Sequence, residues 1–346
     1  MMRMKKLFIL LSVCFFLSCG KHPDNNDPVT PQPTPGKNEG VRLMERLWTE
    51  TSPLQVTQAR LDIFDAIQKL ADQCTNTAFK NLIASDANKY ALTVKYDDMF
   101  SCYDVAFDRV LDALKAGHPQ KGTAVIWLLY NMGYVIQTPT ANFGIDIYHY
   151  RAAELEPYLD FVGSTHKHQD HRSDPLQKAM YKAGKPVMTN YYSPVSNYQY
   201  MSTATKDYEV AGCKVHTFIT KHNNSADSNV PITVFQIDCG ESAGGLVLMH
   251  SGDSNFTASE YDVTKKINVY IPRYAVNDLQ ENQVLGPVFN PDYVLLSHIL
   301  ELSHKDISES RWSFELALDR ASKLNCDKTY VPFWGEKFTW EDGQLK

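Results

Sequence analysis

The sequence predicts a mixed α/β domain with layered sheets, preceded by helices. The chain has 346 residues, of which 43% are hydrophobic and 21% charged, the balance of a globular protein with a sizeable core. Apolar residues recur at three- and four-residue spacing in Val56–Ala71 and Val105–Ala116, which indicates amphipathic helices. From Gly122 onward, short β-branched runs fall into two groups with helical stretches between some of them, which favours an α/β domain.

The first predicted strands are Ala124–Leu129 and Tyr134–Thr138, on either side of a turn at residues 131–133. Eight more apolar or β-branched runs predict strands at Leu159–Val162, Val187–Thr189, Lys214–Thr220, Ile232–Ile237, Leu246–Met249, Ile267–Ile271, Tyr293–Leu296 and Thr329–Val331. Helices are expected near 151–158, 174–183 and 307–323. Residues 41–121 are predicted to form a helical prefix that packs on the main domain; the alternative is an independent partner-binding domain.

The amino terminus is typical of an export signal. Residues 1–18 combine a positive start with the apolar run Leu7–Leu17, which is too short to span a bilayer. Ser18-Cys19-Gly20 resembles the lipobox of bacterial lipoproteins, which implies cleavage before Cys19 and its lipidation; the alternative is an ordinary secretory signal. Residues 19–40 are rich in Pro, Asn and Asp and are predicted to be a flexible tether. We therefore expect a lipid-anchored protein, periplasmic or on the cell surface.

The charge and the cysteines exclude two classes of protein. A formal net charge of −6 argues against general nucleic-acid binding. Five of the seven cysteines remain after Cys14 leaves with the signal and Cys19 is assigned to lipid. An odd number leaves at least one unpaired. None lies in a CxxC or CxC pair, so a cysteine-based zinc site is not expected, and buried structural thiols are favoured.

The strongest chemical signal lies in residues 161–174, FVGSTHKHQDHRSD. His166, His168, Asp170 and His171 place three imidazoles and one carboxylate within six residues, directly after an apolar strand. His166 and His168 are two residues apart, so an extended backbone points both side chains the same way. Such a pattern is typical of a metal site, and one loop of this kind can supply two neighbouring sites.

The HxHxDH motif after a strand, with VIWLLYNMGYVIQTP before it, resembles the metallo-β-lactamase-fold hydrolases. The resemblance is greatest to the branch of lactonases, phosphodiesterases and RNA-processing nucleases, and it spans roughly residues 122–338. It implies an αββα four-layer sandwich, with a hydrolase domain at residues 122–346.

The resemblance also implies a set of ligands. His222 fills the place of a third histidine and would complete a three-histidine site with His166 and His168. Gly252-Asp253 follows an apolar strand, and the Asp253 carboxylate would join Asp170 and His171 in a second site. His216 lies in mid-strand and is interpreted as structural. His250 is interpreted as a buried strand-end residue rather than a ligand.

Two family motifs are altered. Phe333 or Trp334 stands where the family has a last histidine ligand, and neither can bind a metal. The early family aspartate is also replaced, and Asp146 lies nearby without a clear alignment. His298 either completes the second metal site or caps its strand. His304 stands where related hydrolases place a histidine that contacts the substrate or protonates the leaving group.

The function implied is a metal-dependent hydrolase that uses a metal-bound hydroxide on an ester, lactone or phosphodiester, with Asp170 and His304 as catalytic residues. One or two zinc ions are expected, with manganese or iron as alternatives. Four tyrosines in residues 190–200 predict a small-molecule, glycan or nucleotide-like substrate, unless that loop packs against the protein. The altered last motif leaves a catalytically degenerate binding protein as the competing hypothesis.

Overall fold

In the computed structural model of the chain, residues 38–84, 97–191, 198–222, 229–255, 258–274, 279, 282–304 and 311–346 are described. Residues 37–346 form one compact unit. The predicted signal peptide, Cys19 and nearly all of the tether lie outside the described residues. No helix in the described ranges is both long and apolar enough to cross a membrane.

Six α-helices lie in the described residues. Four precede the sheets and two lie among the strands: α1 (Glu39–Glu50), α2 (Gln58–Gln73), α3 (Asn76–Ala84), α4 (Asp98–Lys115), α5 (Asp174–Lys182) and α6 (Phe314–Ala321). Side-chain caps define several of their starts: Asn38, Thr57 and Asp97 each accept a hydrogen bond from a backbone N–H of the first turn.

The first sheet contains both ends of the α/β region. Its described strands are β1 (Thr123–Tyr130), β2 (Gly133–Gln137), β3 (Asn142–Ile145), β4 (Phe161–Gly163), β5 (Val187–Met188), β14 (Lys337–Glu341) and β15 (Gln344–Leu345). They are ordered β15-β14-β1-β2-β3-β4-β5. β3, β4 and β5 run parallel, so the segment after β4 leaves the carboxyl edge of the sheet.

The second sheet carries the other half of the site. Its described strands are β6 (Lys206–Val210), β7 (Cys213–His222), β8 (Pro231–Asp238), β9 (Val247–His250), β10 (Ser254–Asn255), β11 (Val269–Ile271), β12 (Tyr293–Leu295) and β13 (Thr329–Tyr330). They are ordered β10-β7-β8-β9-β11-β12-β13, and β6 pairs with β7. β9, β11, β12 and β13 are parallel, so their carboxyl ends meet along one edge.

The two sheets face each other across one apolar core, to which Ile126, Phe143, Phe235 and Leu248 contribute. A second cluster joins α4 and α5 to the outer face of the first sheet. A third joins α6 and the prefix helices to residues of the second sheet. Helices therefore lie outside both sheets, and the predicted α/β class with two layered sheets is confirmed.

The structure also differs from the sequence-based expectations in detail. α1 begins at Glu39, inside the predicted tether, and the predicted helix at 151–158 is a 3₁₀ helix over Ala152–Tyr158. Five strands were not predicted: β3, β6, β10, β14 and β15. β3 and β6 are short segments that carry polar residues or glycine among the apolar ones, and β15 has two residues, so their periodicity is weak.

Candidate metal centre

The carboxyl ends of several strands bring the HxHxDH loop together with residues from far along the chain. The loop follows β4, and His222 is the last residue of β7. Asp253 lies three residues after β9 and His298 three residues after β12. Polar residues at the carboxyl ends of neighbouring parallel strands are expected to meet in this way.

His166, His168 and His222 form the first group of possible ligands. One nitrogen from each lies within 4.8 Å of the others. The His168 and His222 rings are 4.7 Å apart, and the His166 and His168 rings 4.5 Å. The structure thus brings together the three histidines that the sequence predicted as one site.

The orientation of His166 is set by a short chain of hydrogen bonds. The Thr165 hydroxyl donates to Asp146 Oδ2 over 2.7 Å, so it has no second hydrogen to give. His166 Nδ1 lies 3.0 Å from the same hydroxyl oxygen and must therefore be the donor. This assigns the proton to Nδ1 and leaves the lone pair of Nε2 directed into the site.

Asp146 orients His171 as well. His171 Nδ1 donates to Asp146 Oδ2 over 2.8 Å, which turns Nε2 towards Asp170 and Asp253. Asp146 also accepts the backbone N–H of Thr165 over 2.7 Å. One buried carboxylate thus holds two of the predicted ligands, although the sequence offered no clear alignment for it.

Asp253 lies between the two groups of ligands. Its Oδ2 is 3.3 Å from His222 Nε2, and its Oδ1 is 3.4 Å from His171 Nε2 and 3.3 Å from His298 Nε2. The Arg273 guanidinium donates to Oδ2 over 3.0 Å. A carboxylate that presents one oxygen to each group is suited to bridge two cations.

Asp170, His171 and His298 form a second group within 4.8 Å. Asp170 Oδ2 is 3.2 Å from His171 Nε2 and 3.4 Å from His298 Nε2, and it accepts a hydrogen bond from the Asn131 amide. His298 occupies a left-handed backbone conformation, with φ +67°, and its N–H donates to the Asn131 carbonyl. The second imidazole of this group, that of His298, therefore comes from the segment after β12.

Phe333 and Trp334 contribute no ligand. Both are buried, stack on each other with ring centres 4.5 Å apart, and belong to an aromatic cluster that includes Tyr130 and Phe314. The prediction that neither residue binds a metal agrees with this packing. His298, by contrast, lies with Asp170 and His171.

Burial and neighbouring charges shift the pKa values of the histidines in this site in opposite directions. Burial, and then the neighbouring His171, hold the pKa of His166 well below its usual value. Burial also lowers the pKa of His171, but Asp170, Asp253 and Asp146 outweigh it and raise that pKa well above the usual value. The pKa of His298 is raised, with Asp253 and Asp170 overcoming burial. Burial raises the pKa of Asp253, but Arg273 and His298 outweigh it and hold that pKa well below its usual value. Burial acts in the same way on Asp170, where His171 and His298 outweigh it and hold the pKa well below its usual value.

The unpaired atoms of the site fit a metal. His166 Nε2, His171 Nε2, His222 Nε2 and Asp253 Oδ1 are buried. Apart from the contacts of 3.2–3.4 Å between acidic and imidazole groups given above, none of them has a hydrogen-bond partner in the described residues. A buried polar atom without a partner costs free energy, of order 1–3 kcal/mol each, unless a ligand satisfies it. Several such atoms converge here, and their nitrogen and oxygen chemistry suits zinc, manganese or iron.

His304 lies at the rim of this centre. Its side chain is 34% exposed, and Nε2 is 3.6 Å from Glu301 Oε2. Its ring packs near Trp312, with centres 4.9 Å apart. Asp170, Glu301 and His304 also place one atom each within 4.8 Å of one another. His304 is thus near the centre but outside the two groups that contain His166 and His298.

Three other histidines of the described residues make contacts elsewhere. His250 donates from Nε2 to the Met132 carbonyl and accepts the Gly252 N–H at Nδ1, so both nitrogens are used. His216 Nδ1 pairs with Asp207 over 2.7 Å, on the neighbouring strand. His149 is stacked between Tyr103 and Phe107. These contacts agree with the structural interpretation of His216 and His250.

Several residues of the site were not predicted from the sequence: Asn131, Thr165, Arg273, Glu301 and Trp312. Arg273 follows β11 as His298 follows β12, and residues 273 and 297 form a parallel bridge. A basic residue directly after a buried strand was the signal that could have identified it. Asn131 and Trp312 carried no such signal, because only the folded loops bring them to Asp170 and to the Arg273 guanidinium.

No family model matches the chain, and no curated protein matches it by sequence. Among solved structures, the chain is similar to Igni18, a metallo hydrolase from Ignicoccus hospitalis KIN4/I, with 16% identity and a TM-score of 0.47 over 63% of this chain and 99% of that one. It is also similar to the metallo-β-lactamase-fold protein YhfI from Bacillus subtilis, with 15% identity and a TM-score of 0.47 over 64% and 100%. A third, CmlA, a diiron β-hydroxylase from Streptomyces venezuelae, has 12% identity and a TM-score of 0.42 over 64% and 54%.

Proposed function

We propose that the protein is a metal-dependent hydrolase whose centre is held by His166, His168 and His222 on one side and by Asp170, His171 and His298 on the other. The observation that carries the proposal is the convergence of buried nitrogen and oxygen atoms that lack hydrogen bonds on the two oxygens of the Asp253 carboxylate. When bound, the metal supplies Lewis acidity, which lowers the pKa of a water and polarises the substrate oxygen.

The chain's own residues supply orientation and proton transfer. Asp170 is held by the Asn131 amide, so a free carboxylate lone pair can align a water and receive its proton. Asp146 and Thr165 fix the rings of His171 and His166. To His304, which is partly exposed at the rim beside Glu301, we assign the transfer of a proton to the leaving group.

The substrate class we propose is an ester, lactone or phosphodiester. A cleft of about 260 Å³ adjoins the HxHxDH loop and is lined by Gln169, Arg172 and Tyr148, with Ile83 and Ala84 of α3 on another side. The Arg172 guanidinium lies 5.5 Å from the ring centre of Tyr191. A cation beside aromatic rings suits an anionic or aromatic part of a small substrate.

Zinc is the metal we propose for the three-histidine group, since all of its donors are imidazoles. The second group has two histidines and one carboxylate, a set that also accommodates iron or manganese. We further propose that the protein acts outside the cytoplasmic membrane, attached through Cys19, as its amino-terminal sequence suggests.

The test compares two buried histidines of the same strand, β7. His222→Ala removes a proposed ligand, whereas His216→Ala removes a histidine bonded to Asp207. We expect purified wild-type protein to contain one or two transition-metal ions per chain and to turn over at least one member of a lactone, ester and phosphodiester panel. His222→Ala is expected to lose metal and activity, and His216→Ala to keep both.

Two outcomes contradict the proposal. Less than about half a metal ion per chain, after purification in metal-supplemented buffer without chelator, excludes a resident metal centre. Turnover that survives in the His166→Ala/His168→Ala double variant shows that the reaction takes place elsewhere. Stoichiometric metal with no turnover on the panel would instead favour the binding-protein hypothesis.

A further inference from the structure

Two cysteines face each other across neighbouring strands, at the far end of the strand that carries His222. Lys214 of β7 pairs with Asp238 of β8 in antiparallel register, so the next position along the ladder places Cys213 opposite Cys239. Both side chains are almost completely buried, Cys213 at 1% and Cys239 at 2% exposure, in the core between the two sheets.

The hydrogen-bonding pattern identifies which kind of pair this is. The His222 N–H donates to the Val230 carbonyl, and hydrogen-bonded pairs recur at every second position from there, at 220, 218, 216 and 214. Cys213 and Cys239 therefore form a pair without hydrogen bonds between the two strands. Pro231, which has no N–H, occupies a position of the same kind opposite Lys221.

The hydrogen bonds that each cysteine makes to its other neighbouring strand support this assignment. The Cys239 N–H donates to the Leu246 carbonyl, which lies away from β7. Cys213 closes a two-residue turn from β6, paired with Val210, with Ala211 and Gly212 both at positive φ. The two residues that close such a turn hydrogen-bond to each other, so the backbone N–H and C=O of Cys213 are directed to β6 and away from β8.

A pair without hydrogen bonds brings the two Cα atoms to about 4.5 Å and the side chains closer than at other positions. A disulfide requires Cα atoms roughly 4.4–6.8 Å apart, with both Cβ atoms directed towards each other. In the structure both cysteines are free thiols, and the neighbouring Cys213, together with burial, holds the pKa of Cys239 well above its usual value.

We propose that Cys213 and Cys239 form a cross-strand disulfide that links β7 to β8 when the chain folds in an oxidising compartment. Each thiol loses one hydrogen, an S–S bond forms, and the two electrons and two protons pass to a disulfide donor, which is reduced to two thiols. The export signal predicts such a compartment. The remaining cysteines, Cys74, Cys102 and Cys326, stay as thiols.

The link forms during folding, because burial in the native core hinders attack on either sulfur. Once formed, it closes a loop from residue 213 to residue 239 and restricts the unfolded chain. It also ties the strand that ends at His222 to its neighbour. This inference does not depend on a metal or on hydrolysis, so it can fail or succeed independently of the proposed function.

The experiment uses the full chain, unfolded and reduced, then refolded with a mixture of oxidised and reduced glutathione. The refolded protein is unfolded again and treated with a thiol-alkylating reagent, with or without prior reduction, and its peptides are mapped by mass. We expect Cys213 and Cys239 to be labelled only after reduction, with their two peptides joined before it. Cys102, which is also buried, is the internal control and is labelled in both samples.

A second measurement follows stability. We expect wild-type protein that is kept in reductant throughout refolding and heating to have a Tm about 5–10 °C lower than protein refolded with the glutathione mixture. A Cys213→Val/Cys239→Val variant is expected to lose this sensitivity, while Cys102→Ala keeps it. The inference is overturned if Cys213 and Cys239 are alkylated without reduction as fully as Cys102, or if reductant leaves the wild-type Tm unchanged.

Discussion

Asp146 is the residue on which both groups of proposed ligands depend, although it touches neither metal position itself. It accepts His171 Nδ1 over 2.8 Å and the Thr165 hydroxyl, which in turn accepts His166 Nδ1. A carboxylate in this role fixes the ring and raises the basicity of the nitrogen that binds the metal. The Asp146 side chain therefore fixes the orientation of both the His166 and the His171 ring.

Asp146→Asn is expected to weaken metal binding by about 10–100-fold, because an amide cannot accept both donors at one oxygen with equal strength. Competition with a chromogenic chelator measures the change. Asp207→Asn is the matched control: its carboxylate pairs with His216 Nδ1 at nearly the same distance, away from the centre. Equal affinities in wild type and Asp146→Asn would remove Asp146 from the metal centre.

Metal binding should release protons. The surrounding carboxylates raise the pKa values of His171 and His298. Without metal, both rings therefore stay protonated at a pH above about 6.5, the usual pKa of imidazole. A metal takes the deprotonated ring, so protons compete with it and the affinity falls as pH falls. We expect the apparent affinity still to increase above pH of about 6.5. Calorimetry in two buffers of different ionisation enthalpy counts the protons; no release at pH of about 7 would contradict the prediction.

At the scale of elements, Gly252 controls how closely the turn after β9 approaches the segment after β4. Its φ is +50°, and a Cβ there would lie 2.4 Å from Thr165 Oγ1, the hydroxyl that orients His166. Gly245, just before β9, has φ +68° and open space around it. Both glycines have a positive φ, but only at Gly252 would an added Cβ clash with a neighbouring side chain.

Gly252→Ala is therefore expected to lose metal and to lower the free energy of unfolding by about 3 kcal/mol or more, since the clash adds to the strain of positive φ. Gly245→Ala should cost only about 1–2 kcal/mol and retain metal. Chemical denaturation with metal analysis measures both effects. Similar losses in the two variants would show that the approach to Thr165 is unimportant.

The elements also show what the sequence could predict. The strands that bear HxHxDH, His222 and Asp253 have strong apolar runs, and the polar residues follow them directly, so the family resemblance could be extended from HxHxDH to His222 and Asp253. His298 stayed undecided because only the sheet order places the end of β12 next to the end of β11, two strands from β9. Asp146 follows β3, a four-residue strand with a glycine and an asparagine, which gives almost no signal of its own.

At the scale of the whole molecule, the helical prefix and the carboxyl-terminal segment share one buried ion pair. Arg60 of α2 makes two hydrogen bonds to Glu336, of 2.5 and 2.6 Å, and a third to the Val331 carbonyl. Glu336 also accepts the Phe333 N–H, in the same carboxyl-terminal segment. The Trp48 indole of α1 donates to the Trp334 carbonyl nearby.

The segment from Val331 to Glu336 thus binds the helical prefix. Arg60→Ala should consequently destabilise the whole compact unit, not the prefix alone. Arg60 is only 2% exposed, and its removal leaves the Glu336 carboxylate buried without its cation, at an expected cost of about 3–5 kcal/mol. Arg46→Ala removes an exposed pair with Glu50 and should cost less than about 1 kcal/mol.

Denaturation followed by two probes tests this coupling. Far-ultraviolet circular dichroism reports all helices and strands, and tryptophan fluorescence reports Trp48, Trp334 and the other indoles. If the prefix and the sheets fold as one unit, both probes give one transition in wild type and in Arg60→Ala, with the variant shifted to lower denaturant. An early transition of the helices alone in Arg60→Ala would show instead that the prefix folds separately from the two sheets.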